Sequence, residues 1–236
     1  MHEIISANGL IDVIINRGSA NLINFVRRSA SVPVIETGSG VCHTYVDEEA
    51  LLDQSAEIIF NAKTSRPSVC NALDTTVIHK GVAAEFLPKI AKLLKHKKVE
   101  IFADQESFRI LKNIYPKNLL KEASTVDFGR EFLSLKMSVK IVRNIDEAIK
   151  FISRYSSKHS EAILTENKKK AERFLREIDA AVVYVNASTR FSDGAVFGLG
   201  SEIGISTDKI HARGPMGTSE MTTYKWIVVG KYNIRI

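Results

Sequence analysis

The 236 residues carry 33 lysines and arginines against 27 aspartates and glutamates, a formal net charge of +6, with 44% hydrophobic and 25% charged residues. This is the composition of a globular chain with enough length for one large domain or two modest ones, and it argues against a disordered or fibrous protein. Two cysteines are too few for a disulfide scaffold and fit a reducing compartment, no apolar run reaches the length of a membrane span, and the start MHEIISANG has no signal-peptide pattern, so a cytoplasmic protein is expected.

In chain order, IDVII (11–15) and VPVIE (32–36) read as strands on either side of a Gly-Ser turn and a helix. This is part of a nucleotide-binding βαβ array, with fewer strands than a free-standing doubly wound domain needs. HTYV (43–46), TTVIH (75–79), VEIF (99–102), MSVKIV (137–142), EAILT (161–165) and AAVVYV (180–185) continue the strand series. Between them the period changes to that of helices. Leu87, Ile90, Ala91 and Leu94 share one face; Ile145, Ala148, Ile149 and Ile152 share another, with Asn144 and Glu147 placed as cap and partner; Ala171, Phe174, Leu175 and Ile178 repeat the spacing. The expectation is an α/β protein with at least partly parallel sheets.

Residues 117–134 and 186–223 break the alternation, and the second stretch is rich in Gly, Ser and Thr, as functional loops often are. TTYKWIVVGKYNIRI (222–236) reads as an exposed strand pair of the kind that adds to a neighbouring subunit's sheet. The basic residues gather on helical stretches such as AKLLKHKK and ENKKKAERFLREI, which read as solvated faces. Without an aromatic platform or a recognition-helix pattern, nucleic acid is not the expected partner, and an anionic substrate is the better use of the charge.

RPSVCNALD (66–74) places Cys70 behind a proline-led turn, four residues after Arg66 and seven after Lys63. Positive charge or turned-in backbone N–H groups make a thiolate nucleophile there, and a packed free thiol is the alternative on the residues alone. Cys42, next to His43 on a strand, points to the opposite face from it and reads as core. His43 and His79 read as structural, and no cluster has metal-ligand spacing.

Three collinear blocks, RGSANLINFV…VPVIETGSGVCHTYVDEEA, NAKTSRPSVCNALDTTVIH and VVYVNASTRFSDGAVFGLGSEIGISTDKIHARGPMG…TTYKWIV, resemble the γ-glutamyl phosphate reductase family of the aldehyde dehydrogenase superfamily, from about Ile11 to Arg235. The resemblance implies an aldehyde-dehydrogenase-like catalytic domain and NADPH-dependent reduction of L-glutamyl 5-phosphate to glutamate 5-semialdehyde in proline biosynthesis. Cys70 is then the nucleophile that forms a thioester, and its backbone N–H is an oxyanion donor. Glu36 matches the superfamily's general base, with positioning of the nicotinamide or service in the reverse reaction as its alternatives. Gly18 and Ser19 match the turn that approaches the cofactor. Glu131 resembles the glutamate that holds the nicotinamide ribose, or is a solvated loop carboxylate.

Arg66, with Lys63, is expected at the phosphate end of the substrate, beside Asn71; Arg190 and Arg213 are candidates for the α-carboxylate and Asp193 for the ammonium. Tying down the long loop is the alternative for the arginines. The corresponding division is a partial nucleotide-binding domain at 1–61, the catalytic domain at 62–195, and an active-site loop with a C-terminal oligomerisation strand at 196–236. Family members have a longer segment ahead of IDVII, so the cofactor site is expected to be incomplete. Two expectations follow: a catalytic half that needs a separate N-terminal half, with homo-oligomerisation and glutamate 5-kinase as further partners, or a non-catalytic remnant that folds or oligomerises without cofactor.

Overall fold

The computed structural model describes residues 1–18 and 20–235. A short helix α1 (His2–Ile5) precedes a β-α-β unit of β1 (Ile14–Asn16), α2 (Ala20–Ser29) and β2 (Val34–Glu36). The two strands pair in parallel, Ile14 opposite Val34 and Asn16 opposite Glu36, and form a sheet of their own. So small a unit leaves apolar side chains uncovered: Leu10 is 88% exposed, and Ile4 and Val13 are also open to solvent.

The larger body is built from β3 (His43–Val46), α3 (Leu52–Thr64), β4 (Thr75–His79), α4 (Lys80–His96), β5 (Glu100–Ala103), α5 (Gln105–Leu111), β6 (Leu120–Glu122), β7 (Lys136–Val142), α6 (Ile145–Tyr155), β8 (Ser160–Leu164), α7 (Lys168–Glu177) and β9 (Val182–Val185). The seven strands lie in the order β6-β5-β7-β4-β3-β8-β9, and every neighbouring pair is parallel. Alternation along the strands sends Val46, Ile78 and Leu164 to one face and Tyr45, Val77 and Ile163 to the other. Ile59 of α3, Phe86 and Ile90 of α4, and Leu111 of α5 cover the first face; Ile149 and Ile152 of α6 and Phe174 of α7 cover the second. Helices on both faces explain why the central strands read as continuous apolar or β-branched runs.

Each of the eight strand runs from IDVII to AAVVYV is present, and the three periodic helices lie where their spacing put them. Two details differ. Asn144 caps α6 by accepting from Glu147 N at 3.0 Å, but the Glu147 carboxylate accepts from Arg143 N rather than closing a capping box. Leu175 is 46% exposed while Ala171, Phe174 and Ile178 are buried, because the apolar stripe of α7 is narrow. Strand β3, expected in the first domain, pairs with β4 and β8 in the middle of the large sheet, so the chain passes from one sheet to the other at residues 37–42 and not at 61/62.

Residues 117–134 contain the edge strand β6 and a 3-10 turn, Thr125–Gly129, closed by a Ser124–Asp127 capping box. The long loop carries β10 (Gly204–Ser206) and β11 (Gly214–Met216), an antiparallel pair. The expected C-terminal strand pair does not form within the described chain: residues 223–235 have no strand partner, and Trp226 is 85% exposed.

Candidate functional site

Cys70 lies in the turn between α3 and β4. Leu73 N donates to Ala62 O at 3.0 Å, Ala72 N to Val69 O at 3.0 Å, and Lys63 Nζ to Leu73 O at 2.6 Å, so the turn is folded back onto the end of α3. From below, the Cys42 thiol donates to Cys70 O at 3.3 Å. Gly40 approaches so closely that a Cβ there would sit 1.8 Å from Cys70 O. Asp74 closes the arrangement: it accepts from Phe132 N at 3.0 Å and Cys42 N at 3.4 Å, with Lys63 Nζ 3.8 Å away. Lys63 is therefore buried beneath the turn, not directed at the phosphate end of a substrate.

Above the turn opens a cavity of about 590 Å³. Of the residues singled out in the sequence it brings together Gly18, Arg66, Cys70, Asn71, Glu131, Arg190 and Asp193. Ser19 lies outside the described residues. Glu36 and Arg213 do not line the cavity. Glu36 Oε1 lies 3.2 Å from Arg27 Nε, and burial raises its pKa more than Arg27 lowers it. Arg213 Nη1 lies 2.9 Å from Asp179 Oδ1, which Lys209 also reaches at 2.9 Å; the arginine thus ties the β10–β11 loop to the end of α7. These contacts hold Asp179 well below the usual carboxylate range.

The cavity walls are fixed by short bonds. Asn71 Nδ2 donates to Ser192 O at 2.8 Å, and Thr189 Oγ1 donates to Asn71 O at 2.8 Å; Asn71 Oδ1 is buried without a partner among the described residues. Arg190 Nε donates to Ser65 Oγ at 3.2 Å. Asp193 Oδ1 accepts from Ala195 N at 3.0 Å, and Glu131 Oε1 accepts from Gly40 N at 2.8 Å. Arg17 and Glu202, which the sequence reading passed over, also line the cavity. Arg17 Nη1 donates to Ile203 O, and Glu202 Oε2 accepts from Gly194 N at 2.8 Å. Their only sequence signal is position, Arg17 directly before the Gly18 turn and Glu202 inside the glycine-rich loop.

The Cys70 thiol is pushed up to about 11, first by burial and then by Glu131 and Glu202; its own backbone N–H and Arg17 act the other way. Burial thus outweighs the positive charge expected to activate it. The backbone N–H turned to the sulfur is the donor an oxyanion needs. Cys42 is 0% exposed, with its pKa raised chiefly by burial, as its reading as core requires. His43 places Nδ1 3.1 Å from Glu161 Oε2 and Nε2 3.2 Å from Phe128 O, while His79 Nδ1 accepts from Gly81 N and caps α4, so both are structural. No metal-ligating group of three occurs among the described residues.

Gly18, at φ +147°, and Gly38 bring bare backbone to the cavity beside the Glu131 carboxylate, which suits the nicotinamide end of a dinucleotide.

No protein-family model matches the chain. The γ-glutamyl phosphate reductase of Pelodictyon phaeoclathratiforme is 57% identical over 231 residues, 98% of this chain and 55% of that protein. Its counterpart in Clostridium acetobutylicum is 56% identical over 228 residues, 97% of this chain and 53% of that protein. The crystal structure of the Thermotoga maritima γ-glutamyl phosphate reductase matches with a TM-score of 0.91 at 47% identity, over 100% of this chain and 55% of that one. An acetylating aldehyde dehydrogenase from Geobacillus thermoglucosidasius matches with a TM-score of 0.73 at 17% identity, over 100% of this chain and 60% of that one, which is a likeness of fold. The chain spans about half the length of the curated relatives it matches.

Proposed function

The chain belongs to the γ-glutamyl phosphate reductase family, and from that premise we propose that it carries the nucleophile and substrate pocket for NADPH-dependent reduction of L-glutamyl 5-phosphate. The observation that carries this reading is the placement of Cys70 at the floor of a cavity with arginines on its walls and a backbone N–H turned to the sulfur. Cys70 Sγ attacks the acyl carbon: the carbon–sulfur bond forms, the carbon–oxygen bond to phosphate breaks, and the thiol proton ends on the departing phosphate. The Cys70 N–H takes the developing oxyanion. NADPH, when bound, supplies the hydride that reduces the thioester to the aldehyde level. Glu131 and Gly18 hold its nicotinamide end.

Glu36 is assigned to the β2 end of the cofactor surface rather than to proton transfer at Cys70, because it is paired with Arg27 away from the cavity. No water needs to attack the thioester in this reaction, so no general base is required for hydrolysis. Residues 43–185 form the catalytic body in this reading, β1 and β2 part of a cofactor domain, and residues 223–235 an arm for oligomerisation. The small β1–β2 sheet with its exposed apolar residues supports a requirement for a complementary polypeptide that supplies further strands.

The test is phosphate-dependent reduction of NADP⁺ with pyrroline-5-carboxylate, by the chain alone and with the complementary half of a relative added. Activity on complementation, lost in Cys70→Ala, is expected. Binding of the complement without any activity would favour a non-catalytic chain.

A further inference from the structure

Three arginines line the cavity from two directions. Arg66 follows α3 and Arg190 lies in the loop after β9, on the side that also holds Asn71 and Asp193. Arg17 follows the last residue of β1, at the carboxyl end of a parallel strand, where open α/β sheets place their ligands. Its Nη1 is fixed by Ile203 O, and no carboxylate lies within ion-pair distance of its guanidinium among the described residues. Glu131 and Glu202 flank Cys70 in the same cavity. A phosphate dianion leaving from a carbon bound to Cys70 therefore needs a cation to offset these two carboxylates. Arg66 is grouped instead with Arg190, which has Arg66 and Asp193 as its electrostatic neighbours in the cavity. That plus-minus-plus grouping matches the carboxylate and ammonium of an α-amino acid.

We propose that Arg17 holds the phosphate that leaves from Cys70, and that Arg66, Arg190 and Asp193 together hold the amino-acid end of the substrate. This rests on the acyl-phosphate reading above, and it moves Arg66 from the phosphate end to the opposite one. Displacement stays balanced: the electron pair of the broken carbon–oxygen bond leaves on phosphate beside Arg17, and the proton released by the Cys70 thiol neutralises one phosphate charge. Arg17, like Arg190, also favours the Cys70 thiolate, so a cation at the phosphate assists both partners of the exchange.

The experiment needs no turnover. Iodoacetamide modification of Cys70 in the native chain is followed by mass spectrometry, with buried Cys42 as internal control and inorganic phosphate, L-glutamate or ADP as protecting ligand. Phosphate and glutamate are each expected to slow modification of the parent chain. Arg17→Gln is expected to weaken phosphate protection by roughly ten- to a hundredfold, the worth of a charge-assisted hydrogen bond, and to leave glutamate protection in place. Arg190→Gln is expected to do the reverse, and Arg17→Lys to recover part of the phosphate effect. No phosphate protection of the parent chain, or unchanged protection in Arg17→Gln, overturns the proposal. Protection through Arg17 by ADP but not by phosphate also overturns it and assigns Arg17 to a cofactor diphosphate. If phosphate protects through Arg17 while glutamate has no effect, the anion site stands and the glutamyl-substrate reading fails.

Discussion

Asp74 concentrates the physical tension of the site in one side chain. It is 2% exposed, accepts from two backbone N–H groups and faces Lys63, itself 0% exposed, yet burial still holds its pKa up to about 6. A carboxylate with an ordinary unfolded pKa of about 3.9 then loses stability as pH rises from about 4 to about 6, because the folded chain binds the extra proton across that window. Urea midpoints at pH 4, 5 and 6 should show this falling contribution in the parent chain, and Asp74→Asn should flatten it. The same substitution leaves Lys63 buried without a counter-charge, and a loss of about 3–5 kcal/mol is expected from the same titrations. At Cys70 the sign runs through reactivity: the thiolate grows in as pH rises, so alkylation should accelerate towards a midpoint near 11, with Cys42 unmodified until the chain unfolds. An alkylation midpoint below 8 would contradict burial as the controlling influence. The place of Cys70 in the cavity was legible in RPSVCNALD, while its proposed role as nucleophile rather than packed thiol came from the resemblance. Arg17 and Glu202 were not legible, because only the folding of the loop before β10 across the end of β1 brings them together.

The elements most legible in the sequence are those with a repeated pattern. β4 and β8 are buried at nearly every position, and α6 carries its four buried apolar residues on one face. The strands missed, β6, β10 and β11, have three residues each, too few for a period to show, and two of them begin at glycine. The division near residue 40 was also hidden, since β2 and β3 are similar short apolar runs and only pairing separates them into two sheets. That junction has a mechanical role. Gly40 passes against Cys70 O, and its N–H is the donor to Glu131, so one residue sets both the Cys70 turn and the proposed ribose contact. Gly40→Ala forces a methyl group into backbone that cannot yield as a side-chain end would. It is expected to displace the Cys70 turn and cost about 1–3 kcal/mol. Thermal unfolding together with the Cys70 alkylation rate checks this: an unchanged rate and unchanged midpoint would mean that the turn has slack the structure does not show.

At the scale of the whole molecule, the seven-stranded sheet and the β1–β2 sheet differ in how far they are built. Both faces of the seven-stranded sheet carry helices, whereas the β1–β2 sheet has two strands and the described residues after Met221 lie outside every sheet. Trp226, Val228, Val229 and Tyr232 are 85%, 87%, 91% and 104% exposed, a β-branched and aromatic run with no strand beside it. The sequence could declare that this segment favours a strand; it could not declare a partner, which has to come from another sheet edge. The segment's backbone hydrogen bonds in turn make a specific expectation. Beyond Thr222, which donates to Ser219 O, the hydrogen bonds of the described tail are local, such as Lys231 N to Asn233 Oδ1. Deleting residues 223–236 therefore removes little that holds the body together, and its unfolding midpoint should stay within about 0.5 kcal/mol of the parent, as for other surface changes. The same deletion should abolish concentration-dependent self-association in sedimentation velocity, if the tail adds as a strand to a second copy. A truncated chain that still associates as the parent does would place the interface elsewhere, and the exposed residues around β1 and β2 would be the next surface to test by substitution of Leu10 and Val13 with serine.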